Sequence, residues 1–223
     1  MNLRSFFQRQ PSVSKESPIW QQYLRFFEEK PAKKTPFRDL RFVVLDTETS
    51  GLDYKKDKLL SVAALSVSNF QIDLQQRFEA FFYRPDYAPD ESVKVHGILG
   101  SRLKMGQQEK TVLLDLLAFL KNSIIVGHHI GFDVAILNHA LQRHFGIQLR
   151  NSTLDTGWLA KRIENPTLRG FNPSPLDQLC AEYRIPLGER HTAAGDAYIT
   201  SLLFLKLLGR LGQRGVKLRK DLL

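Results

Sequence analysis

The stretch Arg41-Phe-Val-Val-Leu-Asp-Thr-Glu-Thr-Ser-Gly51 decides how this chain is read. Residues 42–46 have the make-up of a buried strand, and two carboxylates, Asp46 and Glu48, stand one residue apart where that apolar run ends. Side chains two apart in an extended chain point the same way, so both acids face one spot. Like charges held that close repel each other unless a proton or a cation sits between them. The stretch therefore predicts a divalent cation at the end of a buried strand, with further ligands from acids elsewhere in the chain.

Working outward, residues 59–67 and 76–83 are rich in apolar residues and are separated by a turn at Ser68-Asn69. With the opening strand they predict an antiparallel meander. A short helix or turn is expected over 90–99. Downstream, apolar spacing predicts helices over 108–121, 132–145, 156–163, 176–183 and 192–208, with short buried strands at 123–126 and 153–155. Pro166, Gly170, Pro173 and Pro175 mark 164–175 as a loop. Strands that first meander and then alternate with helices predict an α/β fold: a mixed five-stranded sheet flanked by helices.

The bulk properties narrow the function classes. A chain of 223 residues, 43% hydrophobic and 25% charged, is an ordinary soluble globule with ample material for one core. Its single cysteine, Cys180, excludes an internal disulfide, fits a reducing compartment, and lies in an apolar-patterned run that predicts packing. No apolar run approaches the ~18 residues of a membrane span, and the N-terminus lacks a signal core, so a cytoplasmic location is expected.

The net charge of +9 is gathered at the ends. Residues 1–40 hold 8 Lys/Arg against 4 acids, residues 202–223 hold 6 against 1, and the middle is neutral. Basic ends around a neutral centre suit a polyanionic partner. Residues 18–29 read as an amphipathic helix, with Ile19, Trp20, Tyr23, Leu24, Phe26 and Phe27 on one broad face. Ser17 is its expected N-cap and Pro18 its first residue, and it is expected to dock on the domain or on a protein partner. The expected organisation is an N-terminal extension (1–39) carrying that helix, a central domain (40–208) and a basic C-terminal tail (209–223).

Two later stretches carry acids. Gly127-His-His-Ile-Gly-Phe-Asp133 follows a buried strand and opens a helix, which places Asp133 near a strand's C-terminal end, where sites gather in open α/β sheets. Taken alone, Asp133 reads more readily as a first-turn acid that complements a helix dipole. His191-Thr-Ala-Ala-Gly-Asp196 opens the last long helix. On a helix His191 and Asp196 would be offset by about 140°, so they serve one ligand only if His191 lies in the loop before the helix. Taken together, these stretches supply four carboxylates and one imidazole. Hard oxygen donors select Mg²⁺ or Mn²⁺, whereas zinc would call for more histidine or cysteine. The chain has no glycine-rich phosphate loop and no nucleophile elbow.

These motifs resemble those of the DnaQ-like (DEDD) 3′–5′ exonucleases, in the branch with a histidine in the third motif. Residues 42–52, 127–137 and 191–200 match the first, second and third motifs in order, and the likeness runs from about residue 40 to about residue 208. The resemblance implies a ribonuclease H-like fold that removes nucleotides from a nucleic-acid 3′ end, most simply DNA. It implies that Asp46, Glu48, Asp133 and Asp196 hold two Mg²⁺ (or Mn²⁺) ions and that His191 is the general base. It also implies that Thr47, Thr49, Gly51, Glu91, His96, Gly97 and Ile98 line the terminal-nucleotide pocket. His129 stands where the family has asparagine, near the terminal sugar or phosphate, and Phe132 beside Asp133 could meet a base or the core. No clamp-binding motif or long polymerase-binding tail is recognisable, which argues against a place in a replicative polymerase complex. The alternatives are a short-RNA 3′ exoribonuclease and a non-catalytic nucleic-acid-binding module, the second disfavoured because every acid position is filled.

Overall fold

The computed structural model describes residues 18–29, 31–87, 100–164, 174–188 and 190–223. The expectations for 90–99, which include Glu91, His96, Gly97 and Ile98, and for most of the 164–175 loop lie outside the described residues.

The apolar run that begins at Phe42 becomes β1 (Arg41–Thr49), longer than the five residues expected. It pairs antiparallel with β2 (Leu59–Ser68), and β2 pairs antiparallel with β3 (Gln71–Phe81). On its other side β1 runs parallel to β4 (Ile124–Gly127), which runs parallel to β5 (Thr153–Asp155). The mixed five-stranded sheet therefore has the order β3-β2-β1-β4-β5, with β1 at its centre.

The period-2 alternation of β1 sorts the core into two layers. Phe42 and Val44 point to one face, where they meet α5 (Thr156–Glu164), α6 (Leu176–Glu182) and the long α7 (Ala193–Gln213). Phe42 and Phe204 pack edge to face with centroids 4.9 Å apart, and Cys180 is fully buried in this layer, as its apolar context predicts. Val43 and Leu45 point to the other face, against α3 (Glu109–Leu120) and α4 (Gly131–Phe145). A short α2 (Gly100–Lys104) precedes α3.

Three other boundary differences have a physical reason. The hairpin turn is Asn69-Phe70, both at positive φ (49° and 59°), the backbone twist that tight hairpins require. β3 begins five residues earlier than its apolar run, because the register shift between Leu65 and Ser66 lets polar residues join the ladder. There the Asp73 carboxylate accepts from the Gln75 and Gln76 amides at 3.0 and 3.2 Å. The third boundary is at the C-terminus. α7 does not stop at Gly209; it continues to Gln213, followed by Gly215 at φ 82°. A helical glycine costs about 1 kcal/mol relative to alanine, less than the roughly 1.5–3 kcal/mol gained by burying a leucine such as Leu211, which is 2% exposed.

The stretch expected as a basic tail is therefore structured. Residues 217–220 hydrogen-bond to 33–37: Phe37 N donates to Lys217 O (2.9 Å) and Arg219 N to Thr35 O (2.8 Å). α8 (Arg219–Leu222) follows and buries Leu222.

The N-terminal helix is α1 (Pro18–Arg25), four residues shorter than expected, and it continues as turns through Glu28. Its apolar face docks on the domain against α3, with Trp20 and Tyr23 buried and their rings stacked 5.1 Å apart. The Tyr23 hydroxyl donates to Asn151 Oδ1 (2.6 Å) and accepts from Arg150 N (2.9 Å). Burial pushes the phenol up to about 12 against the opposing pull of the Arg150 and Asn151 backbone. Asn151 in turn donates to Ser123 O at 2.7 Å, so α1 is tied to the start of β4. Tyr23→Phe leaves this buried network unsatisfied and is expected to destabilise the protein by about 1–3 kcal/mol in urea unfolding; an unchanged midpoint would mean that α1 is held by apolar packing alone.

Candidate active site

The first two acids are set by the central strand. Asp46 and Glu48 lie within β1, on the same face as Phe42 and Val44, and they emerge where that face meets the first turn of α7. Thr192 caps α7, its hydroxyl accepting from Gly195 N at 3.0 Å. One turn in, Asp196 is 9% exposed among Ala193 and Ala197, small residues that let the helix approach β2 at Ala63. Oxygens of Asp46, Glu48 and Asp196 converge within 4.8 Å of one another.

Asp133 arrives from the other layer. Thr47, between the two strand acids, points to the α4 face, and its amide and hydroxyl both donate to Asp133 Oδ1, at 2.9 and 2.6 Å. Asp133 is 6% exposed. It therefore closes over the strand end from the opposite side and lies outside the tight triad of carboxylates, though near enough to raise the pKa values of Asp46 and Glu48.

Burial, then the neighbouring acids, push Asp46 well above the usual carboxylate range. The same causes, led by burial and then Asp196, push Glu48 up to about 7. Asp133 is raised to about 7 by burial, which outweighs the Thr47 hydrogen bonds. A cluster that resists its own ionisation this strongly is an electrostatic demand for cations. Its donors are all carboxylate oxygens, which fits a hard divalent ion.

One cation within the chain answers part of that demand, and sequence reasoning missed it. Arg190 donates to Asp196 Oδ1 through Nη1 and to Asp177 Oδ1 through Nε (2.6 Å). It bridges α6 to α7 and lowers the pKa values of Asp46 and Glu48. An arginine next to the His191 motif was the available signal, but only the fold shows that it turns back toward the acids.

His191 lies in the turn before α7, exposed and at φ 61°, so the condition that it precede the helix is met. His129 also sits at positive φ (57°). Asparagine and histidine both tolerate this left-handed conformation, which explains how histidine can stand at a position where the resembled family has asparagine. The His129 ring stacks on His128 with centroids 4.4 Å apart. Burial, then His129, holds the His128 imidazole down to about 4, and its Nδ1 pairs with Thr156 Oγ1 at 2.9 Å. Phe132 is half-buried against the α3–α4 layer.

After β1, the Thr49 hydroxyl donates to Gly51 O at 2.7 Å. The loop is held by Asp57, which accepts from Ser50 Oγ and Asp53 N, both at 2.8 Å. A Cβ at Gly51 would sit 2.6 Å from the Asp57 carboxylate, so a side chain there would push that carboxylate off its loop hydrogen bonds. Asp57 was not a sequence candidate; it organises the loop and lies outside the acid triad. Asp155 accepts from Gly157 N (2.9 Å) and Trp158 N (3.2 Å) at the start of α5 and from Ile130 N (3.0 Å). It thereby ties the loop before α4 to the end of β5.

A sheet in this order, with carboxylates gathered at the end of its central strand and helices on both faces, defines a ribonuclease H-like scaffold. The family model described as Exonuclease (RNase_T) matches residues 43–204, and the chain belongs to that family. Among curated proteins it is 30% identical over 181 residues to DNA polymerase III PolC-type of Halalkalibacterium halodurans, covering 81% of this chain and 12% of that protein. It is 28% identical to DNA polymerase III subunit epsilon of Aquifex aeolicus (78% of this chain, 83% of that one). To the 3′-5′ exonuclease DinG of Bacillus subtilis it is 32% identical (78% and 18%). The chain thus spans about an eighth of the PolC-type relative's length. Among solved structures, the zinc-bound E. coli ExoI–ssDNA complex shares the fold at a TM-score of 0.66 and 19% identity, covering 78% of this chain and 42% of that one.

The raised carboxylates give a pH dependence with a definite sign. In the fold Glu48 and Asp133 keep their protons up to about 7, whereas an unfolded chain loses them near pH 4. Between those values the unfolded state binds fewer protons, so this site's contribution to stability falls as pH rises from about 4 to about 7. With chelator present, the melting temperature is expected to be lower at about pH 8 than at about pH 5, and added Mg²⁺ or Mn²⁺ should restore more at the higher pH. Equal metal shifts at both pH values would show that the acids are not held this way.

Proposed function

We propose that this chain is a metal-dependent 3′–5′ exonuclease that releases nucleoside monophosphates from DNA 3′ ends, as a proofreading or repair type of enzyme. The observation that carries this is the convergence of Asp46, Glu48 and Asp196 within 4.8 Å, with Asp133 closing over them through Thr47. The family supports it, as do the 3′-5′ exonuclease activity of the DinG relative and the single-stranded DNA bound to the structural neighbour. The relatives do not favour the RNA alternative. We place the activity in a domain spanning 40–208, with 209–223 and the described residues of 18–39 packed against it, and the protein in the cytoplasm. Among the described residues no helix is long and apolar enough to cross a membrane.

Asp46, Glu48, Asp133 and Asp196 would hold two Mg²⁺ (or Mn²⁺) ions. Bound there, the ions would offset charge on the scissile phosphate and make water easier to deprotonate. His191, exposed in the turn before α7, accepts the proton of the attacking water at a ring nitrogen. Thr47 holds Asp133 in place, Thr49 and Gly51 would contact the terminal nucleotide beside the acids, and the same role is assigned to Glu91, His96, Gly97 and Ile98, which lie outside the described residues. His129 and Phe132 flank the strand near the loop before α4. The partner is a nucleic acid with a free 3′ end. The apolar face of the 18–29 segment is occupied by the domain itself, which leaves little of it for a protein partner.

End-labelled single-stranded DNA, duplex DNA and RNA should shorten from the 3′ end only when Mg²⁺ is present, with DNA fastest. Shortening in chelator, or from the 5′ end, would overturn the reading. His191→Ala should lower turnover by about 10²–10⁴-fold while metal binding by calorimetry survives. Asp46→Ala should weaken metal binding and abolish activity; a full rate from that variant would remove the site.

A further inference from the structure

A second recess opens beside the acids, on the side away from β2. It is a cleft of about 540 Å³ lined by His129, Asp155, Trp158, Leu159, Arg162 and Leu222 among others. Its place follows from the sheet. β4 is parallel to β1, with Val44 level with Val126, and β5 is parallel to β4, with Gly127 level with Asp155. The loop at 128–130 and the start of α5 thus emerge from the same edge of the sheet as Asp46 and Glu48. The cleft begins one to two strand spacings away, about 5–10 Å.

Its chemistry is distinctive. Trp158 is 54% exposed, an unusual position for an indole, whereas the chain's other tryptophan, Trp20, is 7% exposed in the opposite layer. Arg162 lies one turn along α5 from Trp158, exposed on the same face, and no described carboxylate forms an ion pair with it. The acid in the lining, Asp155, has both oxygens turned onto backbone amides, which fixes it at the base of the cleft beside His128. Leu222, brought in by the C-terminal clasp, gives an apolar wall. An exposed aromatic surface beside a guanidinium with no ion pair among the described residues, with an apolar wall, suits a nucleobase with its phosphate. A purely apolar partner would leave Arg162 uncompensated, and a free anion would make no use of Trp158.

We infer that this cleft binds a nucleotide of the DNA strand upstream of the scissile bond, with the base against Trp158 and the backbone phosphate on Arg162. The inference rests on the reading of the acids as the hydrolytic centre. Given that centre, the nucleotide to be released occupies the acids, and a recess beside them on the same edge receives the strand that remains. It also assigns a task to the C-terminal segment, since α8 supplies one wall of the cleft.

The test compares wild type with Trp158→Ala, Trp158→Phe and Arg162→Ala in Mg²⁺, on a series of oligothymidylates of increasing length and on the p-nitrophenyl ester of thymidine 5′-monophosphate. Trp158→Ala and Arg162→Ala should raise KM for the longer oligonucleotides about tenfold. Their kcat should stay close to wild type, the small ester should be hydrolysed as by wild type, and Trp158→Phe should keep most of the affinity. In chelator, oligothymidylate should quench the intrinsic fluorescence of wild type but not of Trp158→Phe, whose remaining tryptophan is buried. An unchanged oligonucleotide KM in Trp158→Ala, or quenching that persists in Trp158→Phe, would overturn the inference. Failure of wild type to hydrolyse either substrate would instead overturn the exonuclease reading, and the quenching titration would still decide whether the cleft binds a strand.

Discussion

Mutual repulsion among carboxylates at the end of β1 is the constraint to which the rest of the molecule answers. Asp46 and Glu48 share a face because a strand alternates, and the first turn of α7 brings Asp196 to the same face. Burial adds to the repulsion, so the acids hold protons far above their usual range. The fold supplies partial remedies. Thr47 gives Asp133 two hydrogen bonds, and Arg190 sets a guanidinium against Asp196. Neither neutralises the cluster, and that residual demand suits a metal cation.

A site under such strain needs rigid supports, and the surrounding structure provides them from both layers. One apolar layer fixes β1 against α7, and the other fixes it against α4, so the acids delivered from the two helices meet over one strand. The loop before α4 is held by Asp155, the loop after β1 by Asp57, and the approach to α7 by Asp177 through Arg190. These carboxylates stand outside the acid triad, yet each positions a segment that borders it. The chain ends contribute as well, since the 33–37 and 217–220 segments hydrogen-bond to each other and bring Leu222 to the rim of the second cleft.

Much of this could be read directly from the residues. The opening strand, the meander, the alternation of helices and strands that follows and the three acid-bearing motifs all rest on local patterns: period 2, period 3.6, and acids at strand ends and helix starts. The misread features lacked a local signal. β3 begins in a polar stretch that only its pairing with β2 makes into strand. Gly209 looked like the end of a helix, but burial of Leu211 outweighs the cost of the glycine. Arg190 and Asp57 were two charged residues among many in charged loops, and nothing in their immediate neighbours says which way they turn.

By itself the sequence determined the order of the sheet's strands along the chain, the face on which Asp46 and Glu48 lie, and the identity of the groups available for chemistry, because these follow from alternation and spacing over a few residues. Only the tertiary structure decided which acids form the tight triad, that Asp133 is instead held through Thr47, that Arg190 reaches in as a resident cation, and that Trp158 and Arg162 border a cleft next to the site. Those relations join residues tens of positions apart. They depend on which layer each helix packs against and how the strands pair across the sheet, and no local pattern carries that information.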